Sequence, residues 1–161
     1  IFGGKYYICL YEIIMGYGYG IWLVYDKSEF DTTHIGHVTV ACFMKKHDAL
    51  KLYDEIVAKA GYIAELKIKS KPEHYFSSFY EHDKSKTCSW GYDGTCDRWA
   101  IYKSICEKYK GECSSVPHTS IEYGLFPKLF RPSPTTERRM SCNVHCVDIR
   151  SDFPEDWKII I

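Results

Sequence analysis

The sequence predicts an α+β fold whose sheet is mainly antiparallel. Two stretches place apolar residues at helical spacing, and several short runs are β-branched or alternate between apolar and polar residues. Strands follow one another without a helix between each pair, an order typical of antiparallel pairing. With 161 residues, 45% of them hydrophobic, the chain can build one core. We expect an N-terminal arm at residues 1–19 and a single domain at residues 20–161.

The first part of the domain is predicted to hold two strands and a helix. Residues 21–25 form a compact β-prone run, and residues 37–43 alternate and are rich in β-branched side chains. Lys46–Ala60 is predicted as the clearest helix because its apolar residues share one face. Asp48 is expected to cap this helix and Gly61 to end it.

The middle of the chain is predicted to hold two more strands and a loop. The strands cover residues 62–70 and 75–80, and Pro72 interrupts them. Residues 82–97 are polar and contain Gly91 and Gly94, so they are predicted as a loop.

The last third combines a helix, a strand and a hairpin. A second helix is predicted at residues 98–110 and a strand at residues 118–123. Residues 125–137 contain three prolines and are predicted as a long loop. Strands at residues 143–150 and 157–161 are expected to pair as a hairpin.

Charge and hydropathy narrow the functional classes. Lysine plus arginine and aspartate plus glutamate both number 21, so the net charge is zero with neutral histidine. This disfavours long nucleic acid as the main partner, because gripping it requires a basic surface. No run reaches the roughly 18–20 apolar residues of a membrane span, and the first 25 residues do not resemble a signal peptide. We therefore expect a cytoplasmic protein that does not bind a membrane.

The eight cysteines leave three interpretations open, which are free thiols, one or two disulfides, and a metal site. The most closely spaced are Cys88 and Cys96, Cys106 and Cys113, and the run Cys142-Asn-Val-His145-Cys146. The first two spacings differ from the CxxC knuckles of zinc proteins, and no second knuckle accompanies the third. Free thiols are favoured, and we expect neither a metal nor another cofactor.

Two short motifs carry the functional signal. The first is His37-Val-Thr39-Val and the second is His118-Thr-Ser120-Ile, 81 residues later, and each opens a predicted strand. Residues i and i+2 of a strand point to the same face. If the two strands lie side by side, one surface therefore carries two imidazoles and two hydroxyl groups.

This set of groups suits the hydrolysis of a phosphodiester. One imidazole can accept a proton from water while the other donates a proton to the leaving oxygen. Hydroxyl groups can donate hydrogen bonds to the non-bridging phosphoryl oxygens. The alternative is that the histidines are structural or exposed, since a chain with seven histidines gives one such motif easily by chance. Two matches, each at the start of a strand in corresponding halves, favour the functional interpretation.

The motif pair resembles the H-Φ-[S/T]-Φ signature of the 2H phosphoesterase superfamily, and most closely its plant-type cyclic nucleotide phosphodiesterases and their LigT-like relatives. The likeness covers most of residues 20–161: a strand with Trp22, a motif strand followed by a helix, Pro117 and Tyr123 around the second motif, and a closing hairpin with a tryptophan. The departure is Thr119, where the family has an apolar residue. Thr119 is expected to face away from the cleft, with a wetter or hydrogen-bonded back face.

The resemblance implies a bilobal fold, in which two antiparallel sheets flank a central cleft and the helices lie outside. It implies that His118 is the base for water and His37 the acid, an assignment that the direction of the substrate could reverse. Phosphate ligands would be Thr39 and Ser120. The aromatic residues at family cleft positions are Trp22 and Tyr123, for which substrate binding by base stacking and ordinary core packing are weighed equally.

Several functions follow from the resemblance. The first is a metal-independent cyclic phosphodiesterase, a phosphoric diester hydrolase acting on a nucleoside 2′,3′-cyclic phosphate or an ADP-ribose cyclic phosphate, as in RNA processing. Alternatives on the same site are a 2′,5′-oligoadenylate, a cyclic dinucleotide or an RNA 3′ end. A nucleotide or RNA-end binding module is the non-enzymatic alternative, and a structural zinc module is more distant. A monomer that binds a small nucleotide or a short oligonucleotide is expected.

His34 lies three residues before the first motif, in a predicted loop, and is expected at the surface.

Overall fold

The computed structural model describes residues 18–30, 32–76, 88–109, 113–124, 133–151 and 154–161. Within these ranges the chain forms seven strands, two α-helices and two short 3₁₀ helices at Lys27–Glu29 and Pro154–Asp156. In chain order the strands and α-helices are β1 (Tyr19–Val24), β2 (His37–Met44), α1 (Lys46–Ala60), β3 (Ile63–Phe76), β4 (Cys88–Cys96), α2 (Trp99–Cys106), β5 (His118–Gly124), β6 (Arg138–Asp148) and β7 (Lys158–Ile159).

The described strands form one antiparallel sheet in the order β2-β1-β6-β3-β4-β5, with β7 also paired to β6. The α+β class and the antiparallel pairing are confirmed. The expected division into two separate sheets is not seen in these strands. The reason is β6, which is long enough to pair with β1 along Asn143–Asp148 and with β3 along Arg138–Asn143, so that it joins both halves.

The sheet curls until it is nearly closed, because its two outer strands, β2 and β5, approach each other. We call the line where they meet the seam. Both sequence motifs lie on it, since β2 begins at His37 and β5 at His118. The curl therefore brings together two segments that are 81 residues apart in the chain.

The core lies between the two helices and one face of the sheet. Along β6, the buried side chains of Met140, Cys142, Val144 and Cys146 alternate with more exposed ones, as a strand with one covered face requires. Helix α1 adds the buried side chains of Ala49, Leu52, Tyr53 and Ile56. Each large apolar side chain buried in this way stabilises the fold by roughly 1.5–3 kcal/mol.

The bounds of α1 agree with the prediction, and its last turn explains why it ends. Gly61 has φ 77° and its N–H donates to the carbonyl of Val57, which closes the final turn. Asp48 does not cap the helix: the N-cap is Lys45, without a side-chain cap, and Asp48 lies in the first turn. A carboxylate there still meets the positive end of the helix dipole. Helix α2 is shorter than predicted and covers Trp99–Cys106.

Two predictions about the middle of the chain are wrong. Pro72 does not end a strand, because β3 continues through it with a register shift between Ile68 and Pro72, and such an irregularity tolerates a missing N–H. The predicted loop at residues 82–97 contains β4. Its glycines permit close strand approach rather than turns, since a Cβ at Gly91 would overlap the backbone carbonyl of Thr119.

Other expected segments fall partly outside the described residues: 1–17 of the arm, 77–80, 82–87, 110 and 125–132. Tyr19, the last residue of the expected arm, is buried and opens β1. The closing hairpin is confirmed, because β6 pairs with β7. In the described part of the chain no helix has the length and apolarity needed to cross a bilayer.

Candidate active site

His37 is buried at the first position of β2, with only 4% of its surface exposed. Its Nδ1 lies 2.6 Å from the carbonyl oxygen of Ile35. A carbonyl oxygen can only accept, so Nδ1 carries the proton and Nε2 of the neutral ring keeps its lone pair. Burial lowers the pKa of His37 to about 3, against the opposing hydrogen bond to Ile35 and with smaller contributions from His34 and His118. The ring is therefore neutral at physiological pH.

The imidazole of His37 is stacked on an indole. Trp22 is the cross-strand partner of Thr39 on β1 and so lies diagonally opposite His37 on the same face. The ring centroids of Trp22 and His37 are 3.6 Å apart and the planes differ by 9°. This contact covers one face of the imidazole.

His118 opens β5 and faces Asp93, its cross-strand partner on β4. The ring makes a hydrogen bond to the backbone of Val116, two residues earlier, which is the counterpart of the bond from His37 to Ile35. Burial lowers the pKa of His118, while the bond to Val116 and the charge of Asp93 oppose the shift. Because the charge of His118 also lowers the pKa of His37, the two imidazoles lie within electrostatic reach of each other.

The two hydroxyl residues lie on the same face as their histidines. Thr39 is half-buried two residues after His37 on β2. Ser120 is half-buried two residues after His118 on β5, opposite Gly91. Its side chain hydrogen-bonds to Tyr123, whose pKa is raised to about 12 by burial in spite of that bond. The phenol of Tyr123 is therefore protonated.

His34 was expected at the surface, but this prediction is wrong: the side chain is only 5% exposed. Its Nε2 lies 2.9 Å from the carbonyl oxygen of Ser120, so Nε2–H donates. The ring is edge-on to Tyr123 at 5.2 Å and to His37 at 5.9 Å. Burial lowers its pKa. The curl of the sheet creates this burial, and the only local signal was its position three residues before His37.

Trp157 forms an aromatic wall around the site together with Trp22 and Tyr123. From the sequence it was predicted only as part of the closing hairpin. It lies just before β7, and its Nε1–H donates to the carbonyl of Ser151 at 2.7 Å. Its ring is edge-on to Trp22 at 5.8 Å, to Tyr123 at 5.9 Å and to His37 at 6.1 Å. The indole therefore contacts rings from both sides of the seam.

The six residues expected at the site fall into two groups that face each other across the seam. His37, Thr39 and Trp22 lie on the β1–β2 side. His118, Ser120 and Tyr123 lie on the β5 side. Contacts through His34 and Trp157 connect the groups. The arrangement combines a neutral imidazole that can accept a proton, a second imidazole whose pKa is lowered by burial and partly restored by a neighbouring carboxylate, and two hydroxyl groups.

Five cysteines in the described part of the chain are free thiols: Cys96, Cys106, Cys113, Cys142 and Cys146. Cys42 packs against the cluster that contains Trp22 and Trp157. The thiols of Cys106 and Cys113 are hydrogen-bonded to each other. Within the described ranges, no three or more His, Cys, Asp or Glu side chains are grouped so that they could hold a metal ion.

Comparison with known proteins gives no relative for this chain. No family model matches the sequence, and neither a curated protein nor a solved structure is significantly similar to it.

Proposed function

We propose that this chain is a metal-independent cyclic phosphodiesterase of the 2H type, with a bilobal 2H architecture built on the continuous sheet. Its substrate would be a nucleoside 2′,3′-cyclic phosphate or an ADP-ribose cyclic phosphate. The observation that carries the proposal is the position of His37 and His118, which open the two strands that meet at the seam. The charge of His118 also lowers the pKa of His37. Each ring is also held by the backbone two residues before it.

The hydrogen bonds favour His37 as the base, the opposite of the assignment made from the resemblance. Nδ1 of His37 is committed to Ile35, so its Nε2 lone pair is available in the neutral ring. Nε2 would take a proton from water as the water oxygen attacks phosphorus. An imidazole with a pKa of about 3 is a poor proton donor near neutrality, because it is rarely protonated there.

His118 would then act as the acid. The P–O bond to one ribose oxygen breaks, and the leaving oxygen takes the proton of the protonated His118. Asp93 favours the protonated form of this ring. A bound phosphodiester adds a negative charge, which raises the pKa of nearby imidazoles further. Proton donation and proton acceptance thus balance within one turnover.

The hydroxyls of Thr39 and Ser120 would donate hydrogen bonds to the non-bridging oxygens, where charge accumulates in the transition state. Both lie on the face that carries the imidazoles. Of the two aromatic residues, Tyr123 is the better platform for a nucleobase, because it is partly exposed. Trp22 is 1% exposed and already stacked on His37, so we assign it to holding that imidazole.

A second candidate is a nucleotide or RNA-end binding module. Only 4% of the surface of His37 is exposed, and Trp22 and Trp157 cover its ring. A water molecule could therefore reach this imidazole only if those indoles moved, which favours the binding module. A 2′,5′-oligoadenylate, a cyclic dinucleotide and an RNA 3′ end are alternative substrates of the same site. A cytoplasmic monomer without metal or other cofactor stays a prediction.

The test is hydrolysis of a 2′,3′-cyclic nucleotide with EDTA present, followed by phosphorus NMR. We expect ring opening by the wild type and a loss of about 10²–10⁴-fold in His37→Gln and His118→Gln, the usual size of an acid–base contribution. His47→Gln is the matched control, since His47 is exposed on α1. Circular dichroism establishes that each variant is folded.

Each other outcome has a definite meaning. Full activity in either site variant would contradict the proposal. Binding without ring opening, over a panel that includes the longer substrates, would favour the binding module.

A further inference from the structure

The seam that holds the two imidazoles has no backbone ladder of its own. In the described part of the chain, β2 pairs with β1 and β5 pairs with β4, but β2 and β5 exchange no ladder hydrogen bonds. The strands that must keep His37 and His118 in register are thus joined by other contacts. Side-chain hydrogen bonds supply them.

Two of these bonds run in opposite directions across the seam. The Oγ1–H of Thr119, on β5, donates to the carbonyl oxygen of His37 at 2.8 Å. In return, Nε2–H of His34, before β2, donates to the carbonyl oxygen of Ser120 at 2.9 Å. A backbone carbonyl of each motif therefore accepts a hydrogen bond from a side chain that lies across the seam. Both donors are buried, with Thr119 0% and His34 5% exposed.

A third residue, Tyr25, hydrogen-bonds to the donor of the first bond. The hydroxyl of Tyr25 lies 2.5 Å from Oγ1 of Thr119. Since the single proton of Thr119 goes to the carbonyl of His37, Tyr25 must be the donor. Burial raises the pKa of Tyr25, which keeps its phenol protonated. The chain from Tyr25 through Thr119 to His37 is therefore satisfied at every member.

We propose that His34 and Thr119 are positioning residues that clasp β2 to β5 and so fix the separation of the two imidazoles. The catalytic meaning of the clasp rests on the proposed function, whereas the clasp itself is a property of the fold. Neither side chain takes part in the proton transfers assigned above, because the donors of both are committed to backbone carbonyls.

The clasp matters because the geometry of two acid–base groups is sensitive to small displacements. A misplacement of about 1 Å can cost on the order of 10²-fold in rate. Removing a donor also leaves a buried carbonyl without its hydrogen-bond partner, which is unfavourable, so the strands are expected to shift until the carbonyl finds a new partner. Thr119 thus has a physical role at the position where the resembled family has an apolar residue.

The test compares Thr119→Val, which keeps the shape and loses the hydroxyl, with Thr119→Ser, which keeps the hydroxyl. His34→Phe keeps a ring of similar size but has no donor, so it removes the second bond, and His47→Phe is the control on the exposed face of α1. We expect kcat for the cyclic nucleotide to fall about 10–100-fold in Thr119→Val and in His34→Phe, with KM changed much less. Thr119→Ser should recover most of the wild-type kcat.

A second readout does not depend on turnover. In ¹⁵N-labelled protein, the imidazole nitrogen resonances of His37 and His118 should shift in Thr119→Val and in His34→Phe, but not in Thr119→Ser or His47→Phe. Resonances of both rings unchanged in Thr119→Val and His34→Phe would overturn the proposal, whatever the activity. If the wild type does not open the ring but the resonances shift, the proposed function fails while the clasp stands. If Thr119→Val does not fold, His34→Phe decides by the same criterion.

Discussion

Asp93 and His118 are cross-strand partners on β4 and β5, and the carboxylate opposes the fall in the pKa of His118 that burial causes. The pKa of His37 is lowered mainly by burial, with the backbone bond to Ile35 opposing the shift and the charges of His34 and His118 adding to it. Asp93 thus makes the electrostatic surroundings of His118 differ from those of His37, although the two rings occupy equivalent positions in their motifs. The proposed assignment of His118 as the acid uses this difference.

Replacing Asp93 should move the upper pH limit of activity. In Asp93→Asn the charge that favours protonated His118 is lost, so the pKa of His118 falls further. The alkaline limb of the kcat profile should shift to lower pH, because the acid loses its proton earlier. Glu107→Gln, exposed after α2, is the control. An unchanged or upward-shifted alkaline limb would argue against His118 as the acid.

Acid should destabilise the fold through His37. The unfolded chain binds a proton at this ring near the usual pKa of 6.5, whereas the folded chain does so only near 3. Stability from the neutral ring is therefore complete above pH 6.5 and is lost as the pH falls toward 3. At pH 4.5 the loss is about 2–3 kcal/mol.

Urea unfolding at pH 7.5 and pH 4.5 measures this loss. His37→Gln should lose about 2–3 kcal/mol less than the wild type between the two pH values, and His47→Gln should behave as the wild type does. His34 and His118 act in the same direction, since burial lowers the pKa of both. An identical pH dependence in His37→Gln and the wild type would contradict the burial of a neutral ring.

Trp22 should control both stability and the titration of His37. Removing its buried indole in Trp22→Ala costs about 3–5 kcal/mol of unfolding free energy and exposes the face of His37 that it covers. The pKa of His37 should rise toward its usual value, as followed by NMR. Trp99→Ala is the matched control, because Trp99 is also buried but lies on α2 beside Tyr102. A similar rise in Trp99→Ala would attribute the effect to general loosening.

Two glycine substitutions separate strand contact from backbone strain. A Cβ at Gly91 would overlap the backbone of Thr119 and Ser120, neither of which can move without displacing β5. Gly91→Ala should cost about 3 kcal/mol or more and reduce turnover. Gly61→Ala meets no neighbour within 4 Å but has φ 77° and ψ −177°, a conformation that side chains rarely adopt, so about 1–3 kcal/mol is expected with normal turnover. Unfolding free energies in the reverse order would refute the close approach of β4 and β5.

The contact between Cys106 and Cys113 predicts a selective oxidation. The hydrogen bond from Cys106 lowers the pKa of Cys113, so Cys113 should react first with oxidised glutathione and then form a disulfide with Cys106. The products are one disulfide and two molecules of reduced glutathione. Peptide mass spectrometry should find this pair, and Cys113→Ser should abolish it. The prediction would be contradicted if glutathione were attached to Cys113 and to the fully buried Cys142 in equal amounts.

Local patterns were enough to predict the elements whose causes are local. The bounds of α1 follow from helical spacing and Gly61, and His37 and His118 do open strands. β4 was missed because glycine at position 91 is typical of a turn. The structure shows that a glycine is needed there because the backbone of Thr119 comes too close for a side chain. That contact between strands cannot be read from a single sequence.

The parts of the site that were missed depend on long-range contacts. His34 is buried by Ser120 and Tyr123, which follow it by more than 80 residues. Trp157 gains its role only when β7 pairs with β6 and brings the indole to Trp22. The proposed choice of base likewise required the bond from His37 to Ile35, since two motifs of the same type do not reveal which ring is held neutral.

The central place of β6 has a consequence for biosynthesis. Met44, the end of β2, leaves the ribosome 94 residues before Arg138, the start of β6. Until β6 emerges, the nascent chain holds β1 and β3 with the edges that later flank it unpaired, and such edges invite association with other chains. A truncated product that stops before Arg138 lacks the strand that pairs with both β1 and β3, so it cannot form the sheet that brings the two motif strands together.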